Sequence, residues 1–263
     1  MAYENIELDV SRAGVAVVML NRPLKRNAFN AEVISELFDV FETLSKNPEV
    51  RVVLIRGAGP VFSAGADIEW MKAAAIYTEK DNEEDAYAMA EMLRKLHSLP
   101  QVTIALVHGA AMGGGAGIAA ACDIAVAMKD TKFSFSEVRM GIIPATISPY
   151  VVEAIGPRWA RALFVTGETF DGDFAQKIGL VQYVVADETE MDTTVERLAG
   201  LVFAASPAAI ADSKDLVEDV FGREMDSSLS HLTAKRLAHR RASDQGKEGL
   251  AAFLEKRKPD WAG

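Results

Sequence analysis

A single cysteine, Cys122, in 263 residues excludes an intramolecular disulfide and any metal site built from cysteines, and points to a reducing compartment. It falls in an apolar run, where an inert packed thiol is expected. Imidazole is scarce too: His97, His108, His231 and His239 share no metal-ligand spacing, so no metal is expected. No uncharged apolar run reaches the roughly 18 residues that a membrane span needs. The opening MAYENIELDV has acids where a secretion signal needs basic and then apolar residues, and the closing WAG is neither a lipidation nor a peroxisomal signal. Positive charge is also short. Lys and Arg number 28 against 38 acids, a net charge of −10 that argues against a nucleic-acid surface. Low-complexity segments, long linkers and repeats of matching side chains are missing as well. These absences together lead to the expectation of a soluble, cytoplasmic chain with no nucleic-acid or membrane partner.

What the chain has is apolar bulk. Hydrophobic residues make up 49% of it, enough for a large core and one or two domains. Residues 4–10 alternate, with Ile6, Leu8 and Val10 on one face, and Val15–Leu20 is a continuous apolar run; these read as antiparallel strands joined around Arg12–Gly14. Asn30 can cap a helix over Ala31–Leu44 whose Val33, Ile34, Leu37, Phe38 and Phe41 follow the helical stripe. Val50–Arg56 reads as a buried strand and Trp70–Pro100 as helices. Further strands are expected at Val102–Val107, Ile124–Ala127, Lys132–Ser134 and Val181–Val185. Strand signals cease near residue 190 and the rest reads as helix, including the basic HLTAKRLAHRR, whose default reading is a solvated face. The alternation of strand and helix predicts a layered α/β fold, with a boundary in the region 195–205.

Chemistry concentrates in Val107–Pro144. Three successive glycines, Gly113, Gly114 and Gly115, end an apolar run, and a turn without side chains lets backbone N–H groups approach a ligand. The small-residue run to Ala121 reads as a helix starting there, and a helix N-terminus carries unpaired donors and partial positive charge. An earlier loop, Gly57–Asp67 (GAGPVFSAGAD), has the same small-residue character after a strand. Two preorganised N–H donors can hold an oxygen that becomes negative during a reaction. Glu137 follows Phe133 and Phe135 and precedes Ile142 and Ile143; such an apolar setting raises a carboxyl pKa toward the range useful for proton transfer. Cations are available at Lys25, Arg26 and Arg139. His108 is expected to serve packing or a backbone hydrogen bond, and Asp123 to bind backbone in a turn.

FSAGADIEWM, HGAAMGGGAG and FSEVRMGIIP, with NRPLKRNAF and TGETFDGDFAQKIGLV, resemble the enoyl-CoA hydratase/isomerase family, the crotonase superfamily, over nearly the whole chain. The resemblance implies a crotonase-like spiral of ββα units over residues 1–198 and a C-terminal helical region, 199–263, that builds a homotrimer or a dimer of trimers. It implies an acyl-CoA thioester as substrate, with coenzyme A entering as part of it and no separate cofactor. Ala66 and Gly114 then donate backbone N–H bonds to the thioester oxygen. Glu137 matches one of the two hydratase glutamates, while the other falls at Gly117. Lys25, Arg26, Ala28, Ala64, Ala66, Asp67, Ile68, Gly113, Gly114, Gly117 and Pro144 are the implied contacts of the CoA ester. Arg139 is an alternative contact for a distal carboxylate. GIIPATISPY resembles the wording of bacterial hydratases of branched glutaconyl-CoA esters, the 3-methylglutaconyl-CoA and isohexenylglutaconyl-CoA type used in leucine and acyclic terpene breakdown. Hydration of a 2-enoyl-CoA is the first reading. A Δ3,Δ2-enoyl-CoA isomerase, which needs one acid, is the second, and a non-catalytic acyl-CoA-binding relative the third.

Overall fold

The structure, a computed structural model, describes residues 3–11 and 13–262; Arg12, read above as part of a turn, lies outside them. The chain divides into two compact units. One runs to Leu99 and resumes over Thr103–Thr194, and the other takes Pro100–Val102 and the chain from Val195 onward.

In chain order the elements are β1 (Ile6–Val10), β2 (Val15–Leu20), α1 (Ala31–Ser45), β3 (Val52–Gly57), α2 (Ile68–Ala74), α3 (Glu79–His97) and β4 (Val102–Val107). Then come β5 (Ala110–Met112), α4 (Gly114–Ala121), β6 (Ile124–Met128), β7 (Lys132–Ser134), α5 (Ser148–Thr166), β8 (Thr169–Phe170), α6 (Gly172–Ile178) and β9 (Tyr183–Val185). The helices α7 (Glu188–Ala204), α8 (Pro207–Val220), α9 (Ser227–Ala242) and α10 (Asp244–Glu255) complete the chain.

One sheet has the order β1-β2-β3-β4-β6-β9 and a second the order β5-β7-β8. β1 and β2 are antiparallel, Ile6 opposite Leu20, whereas β2–β3 and β4–β6 are parallel. The burial of the strands follows from that arrangement. β4 is buried at every position, as a parallel strand covered on both faces must be, while β2 alternates half-buried and buried. In β1 only the first residue of the expected apolar face is buried; Val10 is exposed. The second sheet goes beyond the sequence reading, which identified β7 but neither of its partners. β5 and β8 are three and two residues long, too short for an alternation to register.

The core packs α1, through Leu37, Val40 and Phe41, and α3, through Met92, Leu93 and Leu96, with the strands and with Phe133 and Phe135. Asn30 caps α1 by accepting from Val33 N–H, as expected. In the second unit α8 and α9 are joined by the ion pairs Arg240–Asp212 and Arg236–Asp219, so part of the basic run is spent within that unit.

Candidate active site

The site grows from two short backbone pairings. Phe29 N–H donates to the Gly65 carbonyl at 2.7 Å and Asp67 N–H to the Phe29 carbonyl at 2.8 Å. Ala66 sits between those two bonds, so its own N–H points away from Phe29, as alternate amides do in a parallel ladder. On the other side, Ser63 N–H donates to the Ala110 carbonyl and Met112 N–H to the Ser63 carbonyl, each at 3.0 Å, which fastens the same loop to β5. The Ser63 hydroxyl donates to the Asn27 carbonyl at 2.8 Å and accepts from Gly65 N–H, fixing the loop from within.

β5 leads straight into Gly113 and α4. Gly113 has φ 47° and ψ −115°, a conformation that a side chain strongly disfavours, and a Cβ there would lie 2.9 Å from Glu137 Oε1. Gly114 is the first residue of α4, so its N–H has no partner within the helix. A Cβ on Gly115 would lie 2.8 Å from Ser63 Cβ, so the turn and the Ser63–Asp67 loop can approach only because Gly115 is bare. The amides of Ala66 and Gly114, which donate to no backbone carbonyl among the described residues, therefore lie on adjoining segments.

Glu137 opens a 3-10 turn over Glu137–Met140, two residues after the buried Phe135. Its Oε2 is buried without a hydrogen-bond partner among the described residues. Burial pushes its pKa above the ordinary carboxyl value and outweighs the hydrogen bond from its own backbone N–H. The surroundings differ from the sequence expectation in one respect: Ile142 and Ile143 are 53% and 72% exposed, so the apolar setting comes from elsewhere, with Phe133 and Phe135 fully buried. Pro144 is buried at the end of this segment.

Lys25, Arg26, Ala28, Ala64, Ala66, Asp67 and Ile68, with Leu24 and Glu69, line one cleft of about 410 Å³. The sequence reading named the first seven together, and the fold brings them to one place. Gly113, Gly114, Gly117 and Pro144 are not in its lining. For Gly117 the reason is plain: it is buried, and a Cβ there would lie 2.2 Å from Ile147 Cγ2. Gly117 presents no open surface, because Ile147 fills the space in front of it.

The sequence reading missed the supports. Arg22 bridges Asp67 at 3.1 Å and donates to the Ala28 carbonyl at 2.6 Å, and the buried Asn27 donates to the carbonyls of Ala58 and Val61. Burial alone would raise the Asp67 pKa, but the Glu69 N–H and Arg22 outweigh it and hold Asp67 below the usual carboxylate value. NRPLKRNAF entered the sequence reading through the family resemblance, which assigned Arg22 and Asn27 no role. His108 bonds the Gly59 carbonyl at 2.9 Å. Asp123 accepts from Thr103 N–H at 2.7 Å and also from its hydroxyl. Cys122 is half-buried at the end of α4 and not within it. Arg139 packs against Gly167.

A bare glycine turn, a matching small-residue loop and an acid with one buried, unpartnered oxygen form an arrangement able to stabilise negative charge on a carbonyl oxygen. Residues 11–263 match the family model described as enoyl-CoA hydratase/isomerase. The chain is 32% identical over 263 residues to a crotonyl-CoA hydratase of Syntrophomonas wolfei, covering 99% of each chain. It is 31% identical over 260 residues to a short-chain-enoyl-CoA hydratase of Clostridium acetobutylicum, covering 98% of this chain and 97% of the other. An enoyl-CoA hydratase from Shewanella pealeana superposes with a TM-score of 0.95 at 36% identity, over 98% of this chain and 96% of that one. The chain belongs to the enoyl-CoA hydratase/isomerase family and has the crotonase fold.

Proposed function

We propose that this site adds water to the double bond of a 2-enoyl-CoA thioester. The observation that carries the reading is the buried, unpartnered Oε2 of Glu137 on a side chain that touches the glycine turn. Family membership supports the substrate class. The cleft with Lys25 and Arg26 at its edge receives the charged CoA portion, since flexible cations suit its phosphates. Beyond it the thioester oxygen accepts from Ala66 and Gly114 N–H. Water bound at Glu137 loses a proton to the carboxylate as its oxygen attacks Cβ. The electron pair of the double bond moves through Cα to the thioester oxygen, giving an enolate that the two amides stabilise. Glu137 returns the proton to Cα, so one O–H bond and one π bond are exchanged for a C–O and a C–H bond.

The wording of GIIPATISPY supports a branched or dicarboxylic acyl group, such as 3-methylglutaconyl, as the finer assignment. Crotonyl-CoA, 3-methylglutaconyl-CoA and a 3-enoyl-CoA assayed side by side decide it. Hydration without a double-bond shift, fastest for the methylglutaconyl ester, is expected; a shift without hydration overturns the reading in favour of isomerisation. Glu137→Gln is expected to abolish turnover while CoA-ester binding persists. Loss of one acid–base group costs on the order of 100- to 10,000-fold, so a variant that keeps a tenth of wild-type kcat removes Glu137 from the mechanism.

A further inference from the structure

Ile147 fills the space in front of Gly117, so a second acid, if the site uses one, comes from another element. α3 supplies one. Its buried stripe is Met89, Met92, Leu93 and Leu96, and Asp85 lies one turn before Met89 in the same row, a carboxyl where the pattern calls for an apolar residue. Residues four apart on a helix have Cβ atoms about 5–6 Å apart. Met89 reaches the glycine turn: its Cε lies 3.0 Å from where a Cβ on Gly114 would be. Asp85 is half-buried, and its Oδ1 accepts from the indole N–H of Trp70 at 3.1 Å, while its Oδ2 has no partner among the described residues.

Trp70 belongs to α2, which begins two residues after Ala66. The Trp70–Asp85 bond thus joins the segment that follows one oxyanion donor to the helix that packs on the other. Glu137 meets the same turn at Gly113 and α3 meets it at Gly114. Other acids on these two helices are spent at the surface, Glu69 with Lys72 and Glu91 with Arg94. Asp85 is distinct from them in facing an indole and not a cation, and burial raises its pKa against the opposing Trp70 bond.

We propose that Asp85 is a second acid of the site, its free oxygen accepting a hydrogen bond from the hydrogen of the attacking water that Glu137 does not take. Asp85 gains and loses no proton in this step; that hydrogen stays on the oxygen delivered to Cβ and becomes the hydroxyl hydrogen of the 3-hydroxyacyl product. Trp70 is the positioning residue that holds the carboxyl in place. The inference rests on the hydratase reading and deepens it.

The test separates water addition from proton transfer at Cα. Exchange of the α-hydrogens of butyryl-CoA in heavy water needs the two amides and Glu137 but no water at Cβ. Asp85→Asn and Asp85→Ala are expected to lower the kcat of crotonyl-CoA hydration by about 100-fold, the scale on which a misplaced reactant costs rate, while exchange continues near the wild-type rate. Trp70→Phe is expected to lower hydration more than exchange. The retained exchange also shows that the variants are folded. Wild-type hydration in both Asp85 variants, or equal loss of hydration and exchange in both, overturns the role of Asp85 and leaves the hydratase reading standing. A wild-type protein that exchanges α-hydrogens but hydrates no 2-enoyl-CoA overturns both.

Discussion

Glu137 is tuned by the solvent it has lost. Its folded pKa is raised by burial, so between the unfolded carboxyl value of about 4.3 and the folded value the native state binds the extra proton. Stability therefore falls as pH rises through that window, and the site holds a residue that costs stability when ionised. Glu137→Gln is expected to match the wild type in thermal stability at pH 4 and to exceed it at pH 8. A Tm difference that is the same at both pH values removes the burial argument. Gly117 and Ile147 form a second residue-scale pair. A methyl group on Gly117 meets Ile147, so Gly117→Ala is expected to destabilise by about 1–3 kcal/mol through overpacking. In an Ile147→Ala background, where the space is open, the same substitution is expected to be close to neutral. A double-mutant cycle by urea denaturation checks this, and additive effects contradict the contact. The sequence showed the missing glutamate at Gly117 but not what had replaced it, because Ile147 is 30 positions away and meets it only in the fold.

At the scale of elements, α2 shows how one residue can serve structure and site together. Asp67 caps it, accepting from Glu69 N–H at 2.9 Å, and carries the pair with Arg22. Asp67→Asn retains a capping oxygen and loses the charge, so its cost comes mainly from the unpaired, poorly exposed Arg22. Because the Asp67 pKa is depressed, the ionised side chain contributes stability that is fully present above the unfolded value of about 3.9 and is lost as pH falls through the folded value. A penalty of about 1–3 kcal/mol is expected for Asp67→Asn at pH 7, shrinking as pH falls below about 4. Denaturant midpoints across that range measure it, and a penalty independent of pH would place the effect in packing. α4 illustrates the opposite balance. It has no side-chain cap, and its buried small residues let it lie close to Ser63, so packing and not capping holds the end that carries Gly114.

At the scale of the whole molecule, the second unit leaves many large apolar side chains open, among them Phe221, Phe253 and Leu254 at 66%, 80% and 78% exposure. Patches of that kind mark association surfaces. The homotrimer or dimer of trimers implied by the family resemblance is proposed on this ground. Sedimentation equilibrium is expected to return a mass of one of those two assemblies, and Phe253→Asp to lower it; a monomeric wild type overturns the proposal. Among the described residues no single helix is long and apolar enough to cross a membrane. The sequence by itself determined whatever depends on neighbours along the chain. It determined α1 through its stripe and its Asn30 cap, β4 through a run that is apolar at every position but Thr103, and the bare turn at Gly113 through a residue that adopts positive φ without a steric cost. Only the tertiary structure decided what depends on residues far apart. It put Phe29 between Gly65 and Asp67 so that the Ala66 amide turns outward, gathered Lys25 and Ile68 at one cleft, set Ile147 over Gly117, and brought Asp85 to Trp70. Those outcomes follow from the path of the backbone through space, and a local pattern of side chains carries no record of it.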